Sequence, residues 1–181
     1  MPLGTALPFG LREVKLTPLM ADGTPDTTKI QKLPASRTFS FKETEDFTEL
    51  QGDDSTIASH GAGPIVEFDL EGGGISLEIW AILSGATITS SGTTPAQVKT
   101  LSKLTTDSRP YFQVEGRAVS DSGGDFHMEV YRCKADGDLE AELNNGDFLL
   151  TKCGGKGYGN LDDHKLYDFV QNETPVPLTY S

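Results

Sequence analysis

The chain has 181 residues, which is long enough for one core that removes about 70% of the unfolded surface from water. Its 27 Asp and Glu residues outnumber its 15 Lys and Arg residues, and the net charge of −12 excludes tight binding to bare duplex DNA, because phosphate would be repelled. Only 36% of the residues are hydrophobic, so we expect neighbouring chains to complete some of the apolar surface.

The N-terminal sequence and the cysteine usage are typical of a protein made in the cytosol. There is no signal-peptide pattern, and no run approaches the ~20 apolar residues that span a bilayer, so we expect no membrane partner. Cys133 and Cys153 are too few for a disulfide scaffold and lack metal-ligand spacing. They predict two free buried thiols, with a single disulfide between them as the alternative.

The first part of the chain predicts an extended arm followed by strands. Residues 1–10 are small and apolar, contain two prolines and show neither the helical nor the strand period, and they have no evident partner within the chain. Alternation around Val14 begins a strand that Pro18 ends. The alternation returns in residues 29–42, where Phe39 and Phe41 share one strand face.

Residues 43–63 interrupt this pattern. They are acidic and hold only two isolated apolar residues in their first half, Phe47 and Leu50. An excursion of about twenty residues is uncommon in a compact domain unless it is functional or disordered. We therefore predict a long interaction loop. Its expected contact residues are Phe47, Leu50, Asp53 and Asp54.

A strand with two different faces follows at residues 65–71. The apolar side chains, predicted to face the core, are Val66, Phe68 and Leu70, and the acidic side chains on the opposite face are Glu67, Asp69 and Glu71. Three like charges on one strand face cost stability unless water or cations screen them. The pattern therefore predicts a strongly acidic face that looks onto solvent or a wet cavity.

The one clear helical pattern lies in residues 72–85. The side chains predicted to form its apolar stripe are Ile75, Ile79, Trp80, Ile82 and Leu83. Gly85 stands where a residue with positive φ would close the last turn. Trp80 is the only tryptophan, and we assign it a packing role rather than a ligand-stacking role.

The second half of the chain predicts an antiparallel meander. Residues 86–100 indicate a hairpin loop or mobile connection. Strands are predicted at residues 111–120, 126–133, 139–143, 148–152 and 161–170, and turns at Gly123-Gly124, Asp136-Gly137 and Asn145-Gly146. Residues 154–159 are expected to loosen the backbone. Residues 172–181 predict an extended tail, again with no evident partner within the chain.

No pattern for catalysis or for a cofactor is present. The glycine-rich residues 154–159 lack the spacing of a phosphate-binding loop and a following helix. Residues 162–164, Asp-Asp-His, are typical of a polar turn rather than a metal site. No serine elbow or cysteine–histidine pairing indicates a nucleophile. We therefore expect a protein that is not an enzyme and uses no cofactor.

Six stretches carry a family likeness over nearly the whole chain: residues 7–12 (LPFGLR), 39–41 (FSF) with the acidic stretch to Asp54, 74–85 (GISLEIWAILSG), 108–112 (SRPYF), 120–125 (SDSGGD) and 166–174 (LYDFVQNET). In these stretches the chain resembles the major tail tube proteins of long, flexible-tailed bacteriophages (siphoviruses), especially those that infect actinobacteria. None of the stretches is a catalytic signature.

The resemblance implies one domain over residues 1–181, an antiparallel β-sandwich or barrel with one short flanking helix. It implies that six copies close into a ring and that rings stack into the tail tube of the virion, the conduit for DNA ejection. The implied partners are further copies of the chain, a tape-measure protein, tail tip and terminator proteins, and viral DNA in transit without specific binding.

Under this resemblance, residues 43–63 contact the next ring, and Glu67, Asp69 and Glu71 line the channel, where a negative wall lets DNA slide. Two alternatives stay open. One is a single-ring connector or terminator protein of the same virion, and the other is a β-sandwich adhesion or carbohydrate-binding module.

Overall fold

The computed structural model describes residues 4–141 and 145–180. Within these ranges, the elements are β1 (Pro8–Pro18), β2 (Gln31–Lys32), β3 (Ser36–Thr44), β4 (Phe47–Gly52), β5 (Ser55–Gly61), β6 (Ile65–Gly73), α1 (Leu77–Ser84), β7 (Thr87–Ser91), β8 (Val98–Ser102), β9 (Phe112–Ser120), β10 (Asp125–Glu140), β11 (Leu150–Tyr158) and β12 (Tyr167–Asn172). The prediction of a mainly β fold with one short helix is confirmed.

Eight of the strands form one antiparallel sheet in the order β2-β1-β9-β10-β11-β6-β3, with β12 paired to β10. The long strand β10 joins two layers. Its first half, up to Val130, lies between β9 and β12, whereas its second half, from Arg132, pairs with β11. In the described ranges no ladder joins the two end strands of this order, β2 and β3, so the arrangement is a sandwich and not a closed barrel.

The hydrophobic core lies between the two layers, because alternate side chains of each strand point inward. Its most deeply buried members include Val14, Leu16, Val66, Phe112, Val114 and Val130. Cys133 and Cys153 are free and buried in this core, so the prediction of two free thiols is confirmed. Burial raises the pKa of both thiols, that of Cys153 to about 12.

Helix α1 completes the core. Ile79, Ile82 and Leu83 are buried in it, as predicted. Trp80 is half-buried, and its indole N–H donates a hydrogen bond of 3.3 Å to the Thr151 hydroxyl, which fits a packing role.

The ends of α1 correct one prediction. The Ser76 hydroxyl accepts the Ile79 N–H at 3.3 Å and caps the N-terminus, and Gly85 ends the helix in the left-handed conformation with φ of 76°. Ile75 precedes the cap and is 49% exposed, so its assignment to the helix stripe is wrong. The helical spacing continued one residue beyond the point where the Ser76 cap starts the helix.

The predicted turn at Asp136-Gly137 is also wrong. β10 continues through these residues, with a shift in its register to β11 between Ala135 and Leu139. The Arg109 guanidinium donates to the carbonyl oxygens of Ala135 and Gly137 at 2.9 and 2.7 Å. These two hydrogen bonds fasten the irregular part of β10, where the chain bulges instead of turning.

The remaining connections follow the sequence more closely. Residues 86–102 contain the hairpin of β7 and β8, and Asn145-Gly146 lies in the connection from β10 to β11. The end of the strand predicted at residues 139–143 lies outside the described residues. Residues 154–159 do not loosen the backbone, because β11 runs through to Tyr158. The last strand is shorter than predicted, since residues 161–163 form a turn.

Candidate assembly surfaces

The predicted long loop contains a β-hairpin. β4 and β5 pair with each other from Phe47 and Gly61 to Gly52 and Ser55, and neither strand joins the eight-stranded sheet. Residues 53 and 54, both Asp, form the turn with φ of 46° and 62°, a conformation that Asp tolerates better than most residues. The segment predicted as a long interaction loop is therefore folded as a hairpin. Its strands were missed because neither of their faces is buried, and so no apolar alternation marks them.

Among the described residues, no part of the core covers this hairpin. Every non-glycine residue from Glu45 to His60 is exposed. The large apolar side chains among them are Phe47, Leu50 and Ile57, at 63%, 62% and 65% exposure. Ile57 was not predicted as a contact residue, although the sequence places it beside the same acidic stretch. A two-stranded hairpin is marginally stable alone in water, and exposed apolar patches are typical of interaction sites.

The same segment carries a large share of the negative charge. Residues 43–63 include six Asp and Glu residues and no Lys or Arg, against a net charge of −12 for the whole chain. None of these six carboxylates forms an ion pair with another described residue. We call the exposed side chains of this hairpin the hairpin surface: Phe47, Glu49, Leu50, Asp53, Asp54 and Ile57.

Strand β6 has the two faces that its alternation predicts. Val66, Phe68 and Leu70 are between 0% and 3% exposed and belong to the core. The side chains on the opposite, outer face are Glu67, Asp69 and Glu71. The sequence therefore separated the core residues of this strand correctly from the outward ones.

The outer face of β6 carries the predicted acids, but neighbouring strands set cations beside them, so the face is less strongly acidic than expected. On one side, Lys42 of β3 lies 3.4 Å from Glu67, and Arg37 lies 3.3 Å from Glu71. On the other side, the register of β11 sets a lysine opposite each of these two glutamates, Lys156 and Lys152 respectively. The cations come from strands whose register with β6 could not be read from the sequence.

Residues 4–10 of the predicted arm are held on their own chain, and residues 1–3 lie outside the described residues. Leu7 donates its N–H to the Ser120 hydroxyl at 3.0 Å and accepts the Asp121 N–H at 2.9 Å, and Gln171 donates to the Gly4 carbonyl at 2.9 Å. The expectation that the arm has no partner within the chain is therefore wrong, and the strand predicted around Val14 already begins at Pro8. Leu7 and Phe9 remain 58% and 71% exposed.

The described part of the C-terminal tail, residues 173–180, has a partner within the chain, which was not predicted. Leu178 is buried, and its N–H donates to Glu13 at 3.2 Å. The Tyr180 hydroxyl donates to the same carboxylate at 3.1 Å, and the Val176 N–H donates to Asp125 at 2.7 Å. The tail is thus fastened across β1 and β10 by two acidic side chains.

These two acids belong to a buried charged cluster that the sequence pattern did not predict. Arg117 on β9 lies 3.1 Å from Glu13 and 2.6 Å from Asp125. Burial opposes the charged form of Asp125, but the hydrogen bonds from Arg117, Asn172 and Val176 outweigh it and lower its pKa to about 2. The pKa of Glu13 is lowered in the same way, against burial, by the Leu178 N–H and Arg117.

No family model and no curated protein matches the chain. Over the residues the structure describes, no helix is long and apolar enough to cross a membrane. Within those same residues, no group of three or more His, Cys, Asp or Glu side chains is arranged to hold a metal ion.

Proposed function

We propose that this chain is a structural protein of a bacteriophage tail, which closes into six-membered rings that stack into the tube through which viral DNA is ejected. The observation that carries the proposal is the hairpin surface. It exposes Phe47, Leu50 and Ile57 by more than 60% each and has no cover from the rest of the described chain. An exposed apolar surface of this kind is typical of a site that binds another protein.

Contact between copies gives this surface a partner in every subunit. A contact in which the hairpin of one copy meets a different surface of the next copy is heterologous, and repeated heterologous contacts generate rings or open-ended filaments. A heterologous contact of this kind between stacked rings is the role proposed for Phe47, Leu50, Asp53 and Asp54. The eight-stranded sandwich supplies the rigid body from which the hairpin projects.

The outer face of β6 is the proposed channel lining. The other outer sheet face is crossed by the C-terminal tail at Glu13 and Asp125, whereas Asp69 in the middle of β6 is exposed. Acids and cations alternate around β6, so few cations are free to hold phosphate. Such a wall supports the passage of DNA, and of a tape-measure protein during assembly, without specific binding.

The test is negative-stain electron microscopy of the concentrated protein, with and without tail tip proteins as initiators. The proposal predicts tubes of constant diameter built from stacked rings. Separate rings that never stack would instead favour a connector or terminator protein. Particles of monomer size under all conditions, together with binding to carbohydrate, would contradict the proposal and favour an adhesion module.

A further inference from the structure

A groove lined by positively charged side chains complements the acidic hairpin surface. The groove has a volume of about 350 Å³ and lies between the chain that follows β1, the chain that precedes β9, and β10. Its apolar lining includes Leu19, Met20 and Leu161, of which Met20 and Leu161 are 50% and 49% exposed. We call it the basic groove, after the cations described next.

The cations that line this groove are Arg109, Arg132 and Lys134, and the last two stack on Tyr111. The Arg132 guanidinium lies 4.0 Å from the centre of the Tyr111 ring, and the Lys134 ammonium lies 5.0 Å from it. Stacking on the ring holds both side chains over the groove. Neither forms an ion pair with a carboxylate within residues 4–141 and 145–180.

We infer that the basic groove of one copy receives the hairpin surface of another copy. Both surfaces combine exposed apolar side chains with unpaired charges, and their charges are of opposite sign. Leu50 and Ile57 would pack on Met20 and Leu161, while Asp53 and Asp54 would pair with Arg132 and Lys134. The inference rests on the proposed self-association and adds the surface that the hairpin contacts. It applies whether the two copies meet side by side or end to end.

Complementary charges also explain why the contact forms between copies in one orientation. Two hairpins repel each other, because each carries only acids, and two grooves repel each other, because each carries only cations. Like-charge pairs across an interface oppose the wrong pairing, whereas opposite charges raise the association rate. The contact is therefore heterologous, as a ring or a filament requires.

Charge exchange tests this inference. R132E/K134E alone and D53K/D54K alone should each weaken self-association by about tenfold or more, because each sets like charges against each other. A chain that carries all four substitutions should recover most of the wild-type association, measured by sedimentation velocity at low salt. The control K29E/K99E changes the net charge by the same amount as R132E/K134E at lysines outside the groove, and it should associate like the wild type.

Disulfide trapping gives a second readout. A mixture of a Leu50→Cys chain and a Met20→Cys chain should form a covalent dimer on mild oxidation, faster than either chain does alone. The native Cys133 and Cys153 are buried and should not interfere. If the wild type assembles but the fourfold variant fails to recover and the mixed dimer does not form, the basic groove is not the partner, although the proposed function stands. If the wild type never assembles, both the groove and the proposed function are wrong.

Discussion

The ring of Phe68 on β6 lies against the backbone of Gly155 on β11, in the register position directly opposite it. A Cβ atom at Gly155 would lie 2.5 Å from Phe68 Cζ and 2.6 Å from the Lys134 carbonyl oxygen. Phe68 is 2% exposed and packs edge-to-face on Phe112, with 6.0 Å between ring centroids, so it has no room to move aside. The absence of a side chain at Gly155 therefore leaves the space that the Phe68 ring occupies in the core.

Gly155→Ala should consequently destabilise the fold by about 1–3 kcal/mol, the usual cost of overpacking a core. The measurement is urea unfolding at neutral pH. Gly137→Ala in β10 serves as the matched control, because its added Cβ would lie no closer than 3.4 Å to its nearest neighbour, the Gly154 carbonyl oxygen. Equal stability of the two variants would show that Phe68 can move aside.

Asp125 predicts a defined loss of stability in acid. Its pKa falls from an ordinary 3.8 to about 2 in the folded chain, so the unfolded state takes up the proton first as the pH drops. The stabilisation is complete above about pH 4 and is lost as the pH falls through about 2, and it amounts to about 2 kcal/mol. In urea unfolding, the stability difference between the wild type and Asp125→Asn should shrink over this interval. A difference that stays constant from pH 6 to pH 2 would contradict the prediction.

The buried Leu178 predicts that the tail contributes to the stability of the sandwich. Leu178→Ala should lower the free energy of unfolding by about 2 kcal/mol, at the low end for a buried leucine because the site is at the surface of the fold. Val176→Ala, at a side chain that is 50% exposed, keeps the backbone hydrogen bond to Asp125 and should have little effect. Similar losses for both variants would show that the tail is not packed as described.

The outer face of β6 makes a prediction about DNA. In E67K/D69K/E71K, Arg37 and Lys42 lose their ion-pair partners, and the face gains three positive charges opposite Lys152 and Lys156. The variant should bind duplex DNA at low salt, release it as salt rises, and slow DNA ejection from virions that carry it. E67Q/D69N/E71Q is the control for charge alone and should show a weaker effect of the same kind. Unchanged DNA ejection kinetics in the lysine variant would count against the proposed effect of this face on DNA passage, even if these side chains face the channel.

The parts of the fold that could be predicted are those set by local periodicity. Val66, Phe68 and Leu70 follow the two-residue period of a strand, and Ile79 and Leu83 follow the helical period, so their burial could be read directly. The register between strands has no such signal. The cations beside Glu67 and Glu71, the need for glycine opposite Phe68, and the bulge held by Arg109 all depend on which residues become neighbours across the sheet.

The sequence indicated which residues project from the core, but it did not indicate that they fold as a hairpin. The acidic, weakly apolar composition of residues 43–63 correctly separated them from the core, yet the hairpin has no buried face to mark its strands. The contact of Leu178 with Glu13 spans 165 residues, and nothing in either segment's own sequence indicates it. Contacts of this range depend on the whole fold.

The most direct test of the central claim is sedimentation velocity of the wild type beside a variant in which a short Gly-Ser linker replaces residues 43–63. The account predicts that the wild type forms large, concentration-dependent assemblies, while the variant stays folded, with a thermal unfolding transition, and sediments as a monomer. The sandwich core loses no buried side chain in this variant. Among the residues removed, Thr44 is half-buried, and every other non-glycine residue is exposed. Assemblies of the same size from the variant, or only monomers from the wild type at every concentration and with tail tip proteins present, would contradict it.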